Sequence, residues 1–239
     1  MSEKQRTQPE QHAPPVQKMR LRYAKRGRAR FTSHRDFSRA FERALRRAGI
    51  PMAYSSGFSP HPRISYANAS PTGAASEAEY LEIGLAAECD PDRVRAALDE
   101  ALPPGLDVVE AIVAPPGALA DLLTGSLWQI RLPGIDAAEL GAACENFLGQ
   151  SSVLVQRMTK NGIRSFDARQ AVVSLRVSDG EILLVCRHQT PLVRPDDVLT
   201  ALGEVSPSFA PVEVPVITRL AQGTLEEETG EIADPLTVR

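Results

Sequence analysis

The sequence contains few of the residues that cross-link a chain or bind metals. It has 239 residues, of which three are cysteine and 5% are aromatic. Cys89, Cys144 and Cys186 lie far apart, with no C-x-x-C pair and no histidine at metal-ligand spacing. This pattern argues against a disulfide framework, a structural zinc site or an iron–sulfur cluster. We therefore expect no metal and no cofactor.

Long apolar runs are also missing. No stretch approaches the roughly 18 apolar residues of a membrane span, and residues 1–17 lack the apolar core of a secretory signal. We expect a cytoplasmic protein. The 43% hydrophobic and 24% charged residues are typical of a folded chain with one large or two small domains.

Three segments are too polar, or too rich in proline and glycine, to form a core. We predict disordered tails at residues 1–17, which are rich in glutamine and proline, and at the acidic residues 222–239. Residues 115–124 begin with Pro115, Pro116 and Gly117, which predicts a linker.

The net charge of −3 conceals an uneven distribution. Residues 1–66 contain 15 lysines and arginines against four acidic residues, a net of +11, whereas the remainder carries −14. A local excess of this size attracts anionic partners even when the whole chain is close to neutral.

Hydrophobic periodicity predicts an α+β fold. Apolar residues alternate from Lys18 in a strand, and they recur every three or four residues from Ser33 to Ala48 in an amphipathic helix. With the elements that follow, residues 18–114 have the order β-α-β-β-α-β of a ferredoxin-like unit, whose sheet leaves one face open. Residues 125–221 repeat the plan, with a hairpin at Asp179-Gly180. We predict two ferredoxin-like halves in tandem, each with an antiparallel sheet.

Arginines at intervals of four line one face of the first helix. Arg has a planar fork that suits bidentate contact with phosphate, so the row predicts nucleic-acid binding, although a merely solvated helix face is the alternative. Basic residues just before the helix and one in the loop after it extend the surface. The expected RNA-binding residues are Lys25, Arg26, Arg28, Arg30, Arg35, Arg39, Arg43, Arg47 and Arg63.

The loop from residue 54 to residue 63 crowds aromatic, hydroxyl and imidazole groups between residues that restrict the backbone. Such a loop could present side chains to a phosphate or a base, or its aromatic residues could pin a long connection onto the core. The candidate site residues in it are Tyr54, Gly57, Phe58, Ser59 and His61.

His34, at the start of the helix, and His61, in the loop beyond its end, form a candidate catalytic pair. Two histidines beside an arginine cluster would supply an acid, a base and charge stabilisation for metal-free RNA cleavage. The pair can meet only if the loop folds back. A structural role for each histidine is the alternative.

Several stretches resemble a radical-SAM-linked family of bacterial proteins of unknown function. They are Thr32-Ser-His-Arg-Asp36, Ala48-Gly-Ile-Pro51, the loop 54–63, Ser76-Glu-Ala-Glu-Tyr-Leu81, Arg194-Pro195 and Asp197-Val-Leu199. The resemblance covers most of residues 18–220. It implies association with a radical SAM enzyme, or with a ribonuclease E/G-type protein that is often encoded nearby. The chain has no C-x-x-x-C-x-x-C motif of its own.

These observations favour an RNA-binding accessory protein in bacterial RNA maturation or modification, acting with a radical SAM enzyme or a ribonuclease; ribosomal and transfer RNA are candidate targets. One alternative is a metal-independent endoribonuclease that uses His34 and His61, since a tandem ferredoxin-like chain distantly resembles the CRISPR repeat-processing endoribonucleases. The other is a protein-interaction module with no RNA role.

Overall fold

The computed structural model of the protein describes residues 11–159 and 162–237. They form a mixed α+β fold with a large, mostly antiparallel sheet and four α-helices. The elements of the first half are β1 (Gln17–Lys25), α1 (His34–Arg47), β2 (Ile64–Ala67), β3 (Ala75–Leu85), α2 (Pro91–Ala101) and β4 (Leu106–Val113). Those that follow are β5 (Gly125–Arg131), α3 (Ala137–Leu148), β6 (Leu154–Thr159), β7 (Gly162–Asp167), β8 (Val172–Ser178), β9 (Glu181–Arg187), α4 (Pro195–Val205), β10 (Val216–Leu225) and β11 (Ile232–Ala233).

Helix α1 begins and ends where its sequence indicates. The Ser33 hydroxyl accepts a hydrogen bond from the Asp36 backbone N–H at 3.2 Å and so satisfies one of the free donors of the first turn. Gly49 follows the helix with a φ of +64°, a left-handed conformation that glycine adopts without strain. The boundaries of α1 are therefore fixed by local interactions.

One continuous sheet runs through both halves of the chain, instead of the two separate sheets that the sequence suggested. Its nine strands include the path β4-β1-β3-β10-β5-β9-β8, with β2 paired to β3 and β11 to β10. The halves join where β10 pairs in parallel with β3, Thr218 opposite Ala75 and Arg219 opposite Ser76. Strands β6 and β7 form a separate hairpin.

Each half has its own hydrophobic core on the helical side of the sheet. The first core lies beneath α1 and α2, and the second lies beneath α3 and α4. In α1 the residues that face this core are Phe37, Phe41, Ala44 and Leu45. The opposite surface of α1 is therefore directed away from the protein.

The face of the first-half sheet that was expected to be open is covered. Leu119 and Leu123, from the segment predicted as a linker, pack there with Tyr80 and Leu236 in a third apolar cluster. Arg20 lies on this face and is only 1% exposed; its guanidinium donates to the Gly117 carbonyl at 2.6 Å. Arg20, at the centre of the basic side of β1, is thus unavailable to a ligand.

The C-terminal residues are folded, in contrast to the acidic tail predicted for 222–239. Residues up to 225 belong to β10, and Thr224 pairs with Ala233 of β11. Gln222 is buried, and its amide donates to the Ala78 carbonyl at 3.1 Å. The Gln222 amide is therefore hydrogen-bonded inside the protein, whereas the polar composition predicted a tail whose polar groups bind water. Residues 238–239 lie outside the described residues.

The predicted N-terminal tail, 1–17, falls mostly outside the described residues, which begin at 11. The backbone N–H of Val16 donates to the Leu85 carbonyl at 2.8 Å, and Gln17 already belongs to β1. Pairing with β3 therefore begins at Val16 and Gln17, slightly before Lys18, where the sequence predicted the first strand.

Candidate functional site

Five arginines lie on the outer surface of α1, opposite its buried stripe. They are exposed, and the arrangement follows from the helical period, which places residues 35, 39, 43, 46 and 47 together on the side away from the core. We call this surface the α1 arginine face; it consists of Arg35, Arg39, Arg43, Arg46 and Arg47.

The positive charge of this face is largely unneutralised. Within the described part of the chain, no carboxylate lies within 4 Å of Arg35, Arg39 or Arg43. Glu42 approaches Arg46 only to 4.0 Å, and Arg47 donates to the Ala101 carbonyl at 3.1 Å. Like charges four residues apart each cost an isolated helix a few tenths of a kcal/mol, which an anion bound across the face would offset.

Two cations predicted to bind RNA are not freely available on the surface: Lys25 is buried, and Arg26 is exposed but paired with carboxylates. Lys25 is 5% exposed at the end of β1, where burial lowers the pKa of its ammonium group despite the nearby Glu79. The Arg26 guanidinium donates to Glu77 at 2.8 Å and to Asp107 at 2.9 Å. RNA binding by Lys25 stays a prediction, which its burial near Glu79 and Arg219 at the junction of the halves disfavours.

The remaining predicted cations before the helix lie on a single 3₁₀ turn, Gly27–Phe31, that leads into α1. Arg28 is exposed, and no carboxylate among the described residues pairs with it. The Arg30 guanidinium lies over the Phe31 ring, 4.7 Å from its centroid. This turn extends the basic surface at the N-terminal end of α1.

The loop 54–63 is pinned at its base and exposed at its tip. Tyr54 pairs with Pro62 across the loop, and the His61 backbone N–H donates to the Ser55 hydroxyl at 3.0 Å. Arg63 donates through Nε to the Tyr54 carbonyl at 3.1 Å. The tip, which includes Gly57 at a φ of +128°, presents the side chains of Phe58 and Ser59 to solvent.

The structure does not bring His34 and His61 together. The rings of His34 and Tyr66 pack edge to face, with their centroids 4.9 Å apart. His61 is instead held in the loop that precedes β2. Tyr66 and His61 are five residues apart in a largely extended segment, a separation of up to about 16 Å. No hydrogen bond or ring contact joins the two histidines in the described part of the chain.

Sequence reasoning missed a buried ionic cluster at the junction of the halves. Arg219 of β10 forms a salt bridge with Glu79 of β3, and both side chains are almost completely buried. Arg219 also donates to the Asn68 carbonyl at 2.8 Å and to the Gln222 amide oxygen at 3.1 Å. Burial alone would raise the pKa of Glu79, but Arg219 and hydrogen bonds from Ser76 and Ser70 lower it below the usual range.

Beside this cluster is a small cavity of about 90 Å³, lined in part by Trp128, Cys186 and His188. His188 Nδ1 lies 2.6 Å from the Leu123 carbonyl and therefore carries the hydrogen, while Nε2 accepts from the Ser126 hydroxyl at 2.7 Å. Burial lowers the pKa of His188 and raises that of Cys186 to about 12. Both shifts favour the uncharged forms of these side chains, and the internal hydrogen bonds of His188 indicate a structural role for it.

No sequence signal could have identified the cluster or the cavity. Arg219 and Glu79 are 140 residues apart, and their proximity depends on the parallel pairing of β10 with β3. A charged residue in a strand ordinarily predicts an exposed position. The two residues are recognisable as a pair only after the strand order is known.

Within residues 11–159 and 162–237 there is no group of three or more histidine, cysteine, aspartate or glutamate side chains arranged to hold a metal ion. None of the helices that the structure describes is long and apolar enough to cross a membrane.

A comparison of the sequence with protein-family models identifies one family that matches the chain. A family model described as "uncharacterized protein conserved in bacteria (DUF2344)" matches residues 18–195, which include the α1 arginine face, the loop 54–63 and the N-terminus of α4. The comparison with curated proteins found no match. Because the match covers most of the chain, the protein belongs to the DUF2344 family of uncharacterized proteins conserved in bacteria.

Proposed function

We propose that the protein binds RNA through the α1 arginine face and serves as an accessory protein in bacterial RNA maturation or modification. The observation that carries the proposal is the set of exposed arginines that have no carboxylate partner among the described residues, Arg35, Arg39 and Arg43. Unpaired guanidinium groups in a row bind phosphate oxygens by charge-assisted hydrogen bonds and release counterions from the nucleic acid.

The geometry of the face suits a phosphate backbone. Residues four apart on a helix are separated by about 6 Å along its axis, so the three arginines span roughly 12 Å in a nearly straight line. The positions lie away from the core, and Arg28 is exposed on the 3₁₀ turn that precedes the helix. A strand of RNA could therefore contact several cations at once.

The composition of the face favours a nucleic acid over an acidic protein. A protein–protein interface generally has an apolar centre surrounded by polar residues. None of the large hydrophobic residues that are exposed in the described chain belongs to α1. Docking to an acidic protein is the competing hypothesis, and the experiments below distinguish it from RNA binding.

The proposed partners, a radical SAM enzyme or a ribonuclease E/G-type protein, are supported by the sequence resemblance described above. We also propose that each half is a ferredoxin-like unit. In the first half the strands lie side by side in the order β4-β1-β3-β2, which is fourth, first, third and second along the chain. The strands β10-β5-β9-β8 of the second half follow the same order when β5, β8, β9 and β10 are counted as first to fourth. This agreement supports the interpretation.

Cleavage by His34 and His61 is not part of the proposal, because the two rings have different partners and no contact joins them in the described part of the chain.

Removal of the unpaired arginines tests the proposal. The triple variant R35A/R39A/R43A should bind structured RNA about 100-fold more weakly than the wild type at 50 mM salt, at roughly 1 kcal/mol per lost phosphate contact. Fluorescence anisotropy with labelled ribosomal or transfer RNA fragments measures this. Unchanged affinity would contradict the proposal.

A matched control removes three other exposed arginines, in the triple variant R131A/R164A/R176A. It changes the net charge by the same amount in the second half of the chain and should alter affinity less than threefold. Copurification with and without ribonuclease treatment separates the two classes of partner: proteins that persist after the RNA is destroyed, together with unchanged RNA affinity of the first variant, would favour protein docking.

A further inference from the structure

A groove of about 210 Å³ lies between the two halves, next to the N-terminal end of α1. One wall comes from the 3₁₀ turn before α1 and from the segment before β3, and the other comes from the start of α4 and the segment before β10. The residues used in the argument are Arg30, Phe31 and Thr72 on the first wall and Asp196, Val214 and Pro215 on the second.

Phe31 and Arg30 give the first wall an unusual chemistry. The Phe31 side chain is 59% exposed, and the Arg30 guanidinium lies over its ring. The Nε atom of Arg30 is buried, and nothing in the described chain accepts a hydrogen bond from it. A buried donor without a partner is costly, by about 1–3 kcal/mol, so a ligand that accepts from this atom would recover stabilisation that the protein alone does not have.

The second wall supplies the complementary group. Asp196 lies at the beginning of α4 and is exposed, and no cation in the described part of the chain forms an ion pair with it. Val214 is 83% exposed and adds an apolar surface next to Pro215. The groove therefore combines a flat aromatic ring, an arginine whose buried Nε has no partner among the described residues, an exposed carboxylate and apolar contacts.

This combination matches a nucleobase. Proteins hold unpaired bases by stacking them on aromatic or arginine side chains and by hydrogen-bonding their edges, which carry both acceptors and N–H donors. The groove is smaller than the roughly 300–1,000 Å³ of sites that enclose a drug-sized ligand, so it fits a single ring system. Only Thr32 and Ser33 separate Phe31 from α1, so a strand on the α1 arginine face would pass the groove.

We propose that the groove binds one unpaired base of an RNA strand that runs along the α1 arginine face, an inference that rests on the proposed function. The base stacks on Phe31, the Nε–H of Arg30 donates to an acceptor on its edge, and the Asp196 carboxylate accepts from an N–H of the base. The protein thereby distinguishes single-stranded RNA from a duplex, whose bases are already stacked and paired.

The test compares a single-stranded RNA dodecamer with the fully paired duplex of the same sequence. F31A should weaken binding to the single strand about tenfold, as expected for the loss of one stacked base, and leave duplex affinity and its salt dependence unchanged. F31W should restore single-strand binding. R30K, which keeps the charge but lacks the Nε–H, should weaken single-strand binding in the same selective way.

Leu154 provides the control, because it is a large hydrophobic residue that is 67% exposed on β6 and is not among the residues that line the groove. L154A should bind both RNAs as the wild type does. If F31A binds the single strand normally while R35A/R39A/R43A is impaired, the base site is wrong and the proposed function stands. If R35A/R39A/R43A binds RNA as tightly as the wild type, the proposed function fails. If F31A also binds the single strand normally in that assay, the base site is wrong as well.

Discussion

The protein contains two sets of arginines with opposite surroundings. The strand arginines, Arg20, Arg22 and Arg219, lie on the sheet, and each has a carboxylate partner, as in the 3.2 Å contact between Arg20 and Glu82. The unpaired arginines of α1 are exposed and have none among the described residues. Both kinds contribute equally to a charge count, yet only the helical set is available to an external anion.

The difference arises from position in the layers of the fold. A strand has neighbours on both sides, and here β3 and β4 provide Glu82 and Glu110 opposite the cations of β1. A helix that covers a sheet buries one face and has no protein neighbour on the other. Charge that is placed on the outer face of α1 therefore stays unneutralised until a partner binds.

The largest effect should come from Arg219→Met. The substitution leaves Glu79 charged and buried without its partner, which should lower the free energy of unfolding by about 3–5 kcal/mol. Urea denaturation measures the change. The double variant R219M/E79M should recover part of the loss, because no isolated carboxylate then remains; a double variant no more stable than R219M would show that the pair is not what stabilises the junction.

Arg20→Met should have the next largest effect, about 2 kcal/mol of unfolding free energy, because the buried guanidinium bridges Glu82 and the Gly117 carbonyl. Lys18→Met is the control: its exposed ammonium contacts the same carboxylate, at 3.0 Å, and its loss should cost less than 1 kcal/mol. Both variants should bind RNA like the wild type. Weakened RNA binding by R20M would show that the paired strand arginines also contribute to RNA binding, which contradicts the distinction between the two sets.

Protonation of His188 should destabilise the junction as the pH falls. Burial lowers the pKa of His188 in the folded state, and the neighbouring Arg219 acts in the same direction. The unfolded chain binds a proton near pH 6.5, so the stability from neutral His188 is complete above that pH and is lost progressively below it. Chemical denaturation at several pH values should show this decline for the wild type and a weaker one for H188Q. Equal declines would exclude His188 as the cause.

The smallest effect should come from Arg26→Ala. Arg26 is exposed but already bound by Glu77 and Asp107, so its loss should change the unfolding free energy by only about 0.2–1 kcal/mol and leave RNA affinity unaltered. Arg28→Ala is the comparison, since Arg28 has no ion-pair partner in the described chain and should contribute to RNA affinity. Equal RNA affinities of the two variants would show that pairing does not decide which cations bind.

Elements with strong local signals were predictable from the sequence. The hydroxyl cap at Ser33 and the glycine after the helix identified α1, and the hairpin turn at Asp179-Gly180 connects β8 to β9 as expected. These features depend on interactions between residues that are close in the chain. Helix period and turn chemistry were therefore sufficient to place them.

Features that depend on distant contacts were not predictable. Gln222 and Lys25 are buried because the parallel pair of β10 and β3 brings their hydrogen-bonding and charged partners together. The same pairing turns two expected sheets into one. Of the candidate site, the arginines of α1 were identified by spacing alone, whereas the groove beside Phe31 required the relative placement of the two halves.

The salt dependence of RNA binding tests the central claim, that the unpaired arginines of α1 form the anion-binding surface. The logarithm of the association constant should fall with the logarithm of salt concentration, and R35A/R39A/R43A should reduce the steepness of that slope by about 2, whereas R131A/R164A/R176A should leave it as in the wild type. Equal slopes for the wild type and both variants, or equal reductions in the two variants, would contradict the account.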